Sequence, residues 1–166
     1  LPTRVVSVLQ DYLTIELALI DAEEADGITT PTISSGNYYP WDQKNITEFP
    51  ACSIRPVSSA PAEVLPLLMG TRVDARHRLD VMFHATIRQE QEPKDLQAIL
   101  LRYVSGATRV LCVVYEALQT VADPARFVEL CEWTGEATYG PEQEQEDGAL
   151  VRTATLPITI RRREAR

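Results

Sequence analysis

The sequence has no long hydrophobic run. The apolar stretch LPTRVVSVLQDYLTIELALI at residues 1–20 is interrupted by Arg4, Asp11 and Glu16, whereas a membrane-spanning helix needs about 20 mostly apolar residues. We therefore expect neither a transmembrane helix nor a signal peptide. At 166 residues, with 45% hydrophobic and 24% charged residues, the composition is typical of one globular domain.

Catalytic and nucleotide-binding motifs are also missing. The seven glycines are spread along the chain and form neither G-x-x-x-x-G-K nor G-x-G-x-x-G, and there is no G-x-S-x-G nucleophile elbow. The three cysteines, Cys52, Cys112 and Cys131, lie in apolar stretches, which indicates buried, reduced thiols in a cytosolic product. We expect no enzyme activity and no cofactor, although a cysteine and a histidine could still meet in space.

Both histidines lie in RHRLDVMFHATIR, residues 76–88, with Asp80 between them. On a helix, His77, Asp80 and His84 would share one face and could bind zinc. From 78 to 88, however, the odd positions are apolar and the even positions are mostly polar, which predicts a half-buried strand. Alternation then separates His77 from the other two, which stand roughly 13 Å apart at about 3.3 Å per residue. We expect no metal site.

The net charge of −8 is unevenly distributed. DAEEAD at 21–26 and EQEQED at 142–147 hold four acidic residues each, and the other 16 acidic residues match the 16 basic ones. The basic cluster RRREAR at 161–166 is expected to be a disordered, solvated tail. Because nonspecific binding to nucleic acid needs a basic surface, we expect no direct nucleic-acid binding.

Periodicity predicts six elements. Apolar spacing indicates one amphipathic helix over residues 3–24 and a second from Pro93 to about Val121. Strands are predicted at 49–57, 72–88, 127–140 and 149–162. Because sequential strands usually pair antiparallel and two amphipathic helices can cover one face of a sheet, the predicted fold is α+β. It is a single domain over 1–166: a mainly antiparallel four-stranded sheet with two helices packed on one face, in the order α-β-β-α-β-β.

Two long segments interrupt these elements. Residues 26–48 contain the aromatic cluster NYYPW, and residues 58–71 are broken by Pro61 and Pro66. Such long loops are typically functional or disordered; the aromatic cluster could bind a sugar or a proline-rich peptide, or pack on its own domain. Apolar side chains outside regular elements need a partner or an internal dock. The predicted partner or subunit interface comprises Tyr38, Tyr39, Trp41, Val64, Leu65, Leu67, Leu68 and Met69.

The layout resembles a family of viral structural proteins. A helix and a long loop precede FPACSIRPV, the strand RLDVMFHATI, the helix KDLQAILLRYVSGATRVL and the terminal pair GEATYG and GALVRTATLPITIR. Over most of the chain this order resembles the tail terminator and tail-completion proteins of long-tailed bacteriophages, a family without a short diagnostic motif. The resemblance implies a non-catalytic α+β subunit that forms a ring, with six members, on the finished tail tube.

The resemblance also implies partners. The ring would stop tail polymerisation and offer a surface to the head, so the chain would contact other copies of itself, tail tube protein and the head-side neck or connector protein. Such a protein is made in the host cytoplasm and resides in the virion. DNA would pass through the ring without specific binding, since bound phosphates need cations.

The acidic turn at 141–148 has a predicted role in such a ring. Repeated around it, Glu142, Glu144, Glu146 and Asp147 would form an acidic rim or line the lumen. Their mutual repulsion would be strongest at low ionic strength, so we expect ring formation to increase with salt. Two alternatives also fit the sequence: a head-completion or neck protein of the same virion, and a small host ligand-binding or enzymatic α+β domain with NYYPW beside a pocket.

Overall fold

The computed structural model describes residues 2–41, 46–61, 72–87, 93–119, 128–133, 135–141, 143–144 and 148–165. These residues form two α-helices, a three-residue 3₁₀ helix at Ser35–Asn37 and seven strands of one sheet. In chain order the helices and strands are α1 (Pro2–Glu24), β1 (Tyr38–Tyr39), β2 (Ala51–Pro61), β3 (Arg72–Ile87), α2 (Pro93–Gln119), β4 (Val128–Trp133), β5 (Thr138–Tyr139), β6 (Gln143–Glu144) and β7 (Leu150–Ala165).

The sheet is mixed, with the strand order β1-β2-β3-β7-β4. The pairs β2–β3, β3–β7 and β4–β7 are antiparallel, and β5 and β6 also pair antiparallel with β7. In contrast, β1 pairs parallel with β2. The α+β class is therefore confirmed, whereas the four-stranded antiparallel sheet is wrong in detail. Strands of two residues have no periodicity from which they could be predicted.

The predicted alternation in β3 is confirmed. Its odd positions from Leu79 to Ile87 are at most 2% exposed. They lie beside the even positions of β7, as in the cross-strand pairs Phe83↔Ala154 and Leu79↔Ile158, whose members are equally buried. The Phe83 ring also stacks on Tyr103 of α2, with ring centroids 5.4 Å apart. The face of the sheet that carries these residues thus forms one side of a single apolar core.

Both helices pack on this core. α2 contacts β3, β4 and β7, while α1 contacts α2 and β2. The helices approach closely at Gly106, where an added Cβ atom would lie 2.9 Å from Leu13 Cδ1 and 3.3 Å from the Leu17 Cδ2 atom; only a hydrogen atom fits there without displacing these side chains. Among the described residues, no helix is both long and apolar enough to cross a membrane.

Several element boundaries differ from those predicted. β2 continues to Pro61 although prolines usually end a central strand, because β2 lies near the sheet edge and, among the described residues, only Tyr38 and Tyr39 pair with its outer side. The strand predicted at 127–140 is instead divided into β4 and β5. Gly135 lies between them with φ of +84°, a left-handed conformation that interrupts a strand.

The basic C-terminal cluster is not a disordered tail. Residues 161–165 belong to β7 and pair with Arg72–Arg76 of β3, with Arg161 opposite Arg76 and Arg163 opposite Asp74. The prediction was wrong because this partner strand is distant in sequence, so that no local pattern reveals the pairing.

The sheet has two unlike ends. We call the end formed by residues 55–61, 72–78 and 161–165 the arm, and the rest of β2, β3 and β7 the covered half. In β2, residues 51–54 are all buried and residues 55–60 are all exposed. Burial therefore changes abruptly within a strand, at the border between the covered half and the arm.

Candidate functional site

The aromatic loop is partly docked on its own domain. Tyr38 is 7% exposed and pairs with Cys52 of β2, and burial raises the pKa of its hydroxyl group above the ordinary value. The buried Asn37 donates a hydrogen bond from Nδ2 to the Pro50 carbonyl oxygen at 3.4 Å. The Tyr38 ring is thus occupied by the core of its own chain.

The other predicted interface residues fall into two groups. Trp41 is 58% exposed and Tyr39 is half-buried, so this part of the loop offers its surface mainly through the tryptophan. Val64, Leu65, Leu67, Leu68 and Met69 lie outside the described residues.

A buried arginine holds the beginning of the same loop. The Arg102 side chain on α2 is 5% exposed. Its Nη1 atom donates to Asp21 Oδ1 at 2.9 Å and to the Ile28 carbonyl oxygen at 2.7 Å, and its Nη2 atom pairs with Asp26. Thr30 completes the network by donating from its backbone N and Oγ1 atoms to the Asp21 carboxylate at 2.9 and 2.6 Å.

This network lowers the pKa values of its two carboxyl groups. Burial alone would raise the pKa of Asp21, but hydrogen bonds from Thr30 and Arg102 outweigh it and hold that pKa below the ordinary value of 3.8. The hydrogen bond from Arg102 is the largest cause of the lowered pKa of Asp26. Two carboxylates of the DAEEAD cluster, Asp21 and Asp26, therefore fix the loop to both helices.

The signal for this anchor was present in the sequence but was not used. Arg102 stands between Leu100, Leu101, Tyr103 and Val104 in the most apolar part of α2. A single basic residue at a core-facing helical position needs a buried acidic partner, although the sequence offers two dense acidic groups, 21–26 and 142–147, and does not choose between them.

The acidic turn is described only in part. Glu144 belongs to β6, is exposed and lies opposite Leu150 of β7. Glu142, Glu146 and Asp147 lie outside the described residues. The acidic rim or lumen therefore stays a prediction.

The two histidines contact hydroxyl groups of neighbouring strands. His77 lies opposite the core residue Ile160 and its Nδ1 atom is 2.8 Å from Ser59 Oγ. On the other face, His84 hydrogen bonds with Ser53 Oγ at 3.1 Å and with Thr153 Oγ1 at 2.8 Å. Because Ser53 is 0% exposed, its hydroxyl group cannot reach a substrate. The hydrogen bonds of His84 with Ser53 and Thr153 instead join the three strands β2, β3 and β7.

Asp80 has a different partner from the histidines. It is 8% exposed and accepts a hydrogen bond from Arg55 Nη2 at 3.0 Å. Among the described residues, no group of three His, Cys, Asp or Glu side chains could hold a metal ion.

Helix α1 exposes an apolar stripe, which we define as Tyr12, Ile15 and Leu19. These side chains are 44%, 57% and 51% exposed and span about 60° of the helix surface at roughly 100° per residue. Asp11 flanks the stripe on one side, and Glu16 and Glu23 flank it on the other. An exposed apolar stripe of this kind is typical of a surface that binds another protein.

The arm carries the opposite charge. Arg76 and Arg78 are exposed and Arg161 is half-buried, and the strand register places all three on the face of the sheet opposite the helices.

Neither the protein-family models nor the curated proteins contain a match for this chain. The described surface thus offers an acid-flanked apolar stripe, a basic arm and an exposed tryptophan, all suited to binding macromolecules.

Proposed function

We propose that the chain is a structural virion protein that caps the phage tail tube as a ring, ends tail polymerisation and provides the surface for joining to the head-side neck. The observation that carries this proposal is a two-layer α+β subunit whose principal elements follow the predicted order and whose exposed binding features lie on different elements. A closed ring requires two different surfaces on each subunit, because each copy contacts its two neighbours through unlike patches.

The subunit supplies candidates for each contact. The stripe of α1 and the arm are available for neighbouring copies, and Trp41 projects from the loop that follows β1. Large exposed aromatic side chains are frequent energetic centres of protein interfaces. Trp41 is therefore the described residue that we assign to contacts with tail tube protein or neck protein.

Tail tube polymerisation tests the proposal. We expect substoichiometric amounts of the protein to shorten tubes assembled in vitro, and electron microscopy to show one ring at a tube end. Trp41→Ser should weaken tube capping, while Tyr39→Phe, which keeps the ring and removes only a hydroxyl group, serves as the matched control.

The alternatives give different results in this experiment. A head-completion or neck protein of the same virion would leave tube length unchanged and bind the head connector instead. A host ligand-binding or enzymatic domain would bind neither particle. Tubes of unchanged length without terminal rings would overturn the proposal.

A further inference from the structure

Positive charge is concentrated in the arm. The arm holds seven of the 16 basic residues and only two of the 24 acidic residues, which gives it a net charge of +5. Since the whole chain carries −8, the residues outside the arm carry −13. The apparently neutral body of the sequence is thus strongly polarised in the folded protein.

The pairing of the arm strands places like charges side by side. Arg76 lies directly opposite Arg161, and Arg78 lies two residues further along β3 on the same face. Arg76 and Arg78 are exposed on this face, and Val57 of the arm is 46% exposed, so the arm offers a second molecule both positive charge and an apolar side chain.

Helix α1 has the complementary character. It contains five acidic residues and a single basic residue, Arg4. Arg109 of α2 forms an ion pair with Glu23 at 2.9 Å and lies 4.0 Å from Glu16, so one positive charge faces two carboxylates, and Asp11 adds a third acid beside the stripe. The stripe therefore offers apolar side chains within a negatively charged border.

We infer that the arm of one copy docks on the stripe of α1 of a second copy. The stripe and the arm residues Arg76, Arg78 and Val57 are exposed within a single chain, so they do not cover each other there. The contact joins two different patches, and its repetition builds a ring or a filament. The inference rests on the proposed ring-forming function and identifies the surfaces by which its subunits meet.

A second copy explains more of the surface than nucleic acid does. A phosphate backbone could neutralise the arginines, but it would leave Tyr12, Ile15 and Leu19 exposed, and the charge of −13 elsewhere would repel it. Contact between the arm of one copy and the stripe of another brings the arm arginines close to acidic residues and also covers the apolar side chains of the stripe. This contact also predicts the opposite salt effect from the one expected for repulsion between the acidic turns. Because screening weakens attraction between opposite charges, self-association should decrease as salt rises.

Charge exchange between two variants tests the inference. The arm variant is Arg76→Glu/Arg78→Glu and the helix variant is Asp11→Lys/Ile15→Lys, all at exposed positions. Each variant alone should associate with itself about tenfold more weakly or worse, because like charges then meet at the contact. An equimolar mixture should recover association, since each arm then meets a helix of opposite charge in an alternating assembly.

A matched control separates this contact from net charge. Lys94→Glu/Gln97→Glu/Gln143→Glu lowers the net charge by four units, as the arm variant does, at exposed sites outside both the arm and α1, and should associate like the wild type. Sedimentation velocity over a salt series, with circular dichroism to verify folding, provides the readout.

Three results would overturn the inference: no recovery in the mixture, association that increases with salt, or unchanged self-association of an arm variant that has lost binding to duplex DNA. The last result would make the arm a nucleic-acid surface. If wild-type rings still cap tail tubes in any of these cases, the proposed function survives and only the subunit contact is wrong.

Discussion

The covered half and the arm are made of the same three strands but are stabilised differently. The β3–β7 register continues without a shift from Arg72↔Ala165 to Ile87↔Leu150, so backbone pairing extends through both. Side-chain burial, in contrast, does not continue into the arm, because residues 51–54 of β2 are buried and residues 55–60 are exposed. Because buried apolar area supplies most of the folding free energy, the core explains the covered half, whereas the arm extends beyond what the core needs.

The largest expected effect lies in the covered half. Phe83 is 0% exposed and stacks on Tyr103, so Phe83→Ala should lower the free energy of unfolding by about 3–5 kcal/mol through lost burial and a cavity. Urea unfolding followed by circular dichroism measures this change. A loss below about 1 kcal/mol, within the range of ordinary surface changes, would contradict the assignment of Phe83 to the core.

The anchor of the helix layer should have the next largest effect. Arg102→Met removes the donor shared by Asp21, Asp26 and the Ile28 carbonyl group, and we expect a loss of about 1.5–3 kcal/mol from hydrogen bonds to charged groups. Arg109→Met, which breaks an exposed ion pair, is the control and should cost much less, because exposed ion pairs contribute little to stability. Equal losses in the two variants would show that the Arg102 network is not an anchor.

Acid should destabilise the helix layer. The pKa values of Asp21 and Asp26 are lowered in the folded chain, so their stabilisation is present above the ordinary value of 3.8 and is lost as pH falls through the folded pKa values. Unfolding measured between neutral pH and pH about 3 should show this decline. The Arg102→Met variant should show a shallower decline, and identical slopes would refute the explanation.

The smallest effect is expected in the arm. Val57 is 46% exposed at the irregularity in β2 that lies between Pro56 and Ser58, so Val57→Ala should change the free energy of unfolding by about 0.5 kcal/mol or less. Val81→Ala in the covered half, where the same side chain is 2% exposed, is the matched comparison. If the two variants lost equal stability, the distinction between the arm and the covered half would be invalid.

Local periodicity predicted the elements that carry the core. The alternation from Leu79 to Ile87 and the helical spacing from Leu96 to Val114 depend only on neighbours in sequence, and both correspond to buried faces. The arm could not be predicted in this way, because it depends on Arg161 meeting Arg76 across 85 residues of chain. The Arg102 anchor is equally nonlocal, with 81 residues between it and Asp21.

The surface position of both tryptophans has a practical consequence. Trp41 and Trp133 are the only tryptophans of the chain and are 58% and 45% exposed, so both side chains already contact water extensively before the protein unfolds. Their fluorescence should consequently change little on unfolding. It should shift to shorter wavelengths when a partner covers either ring and removes it from water, which makes the two tryptophans intrinsic optical probes of assembly.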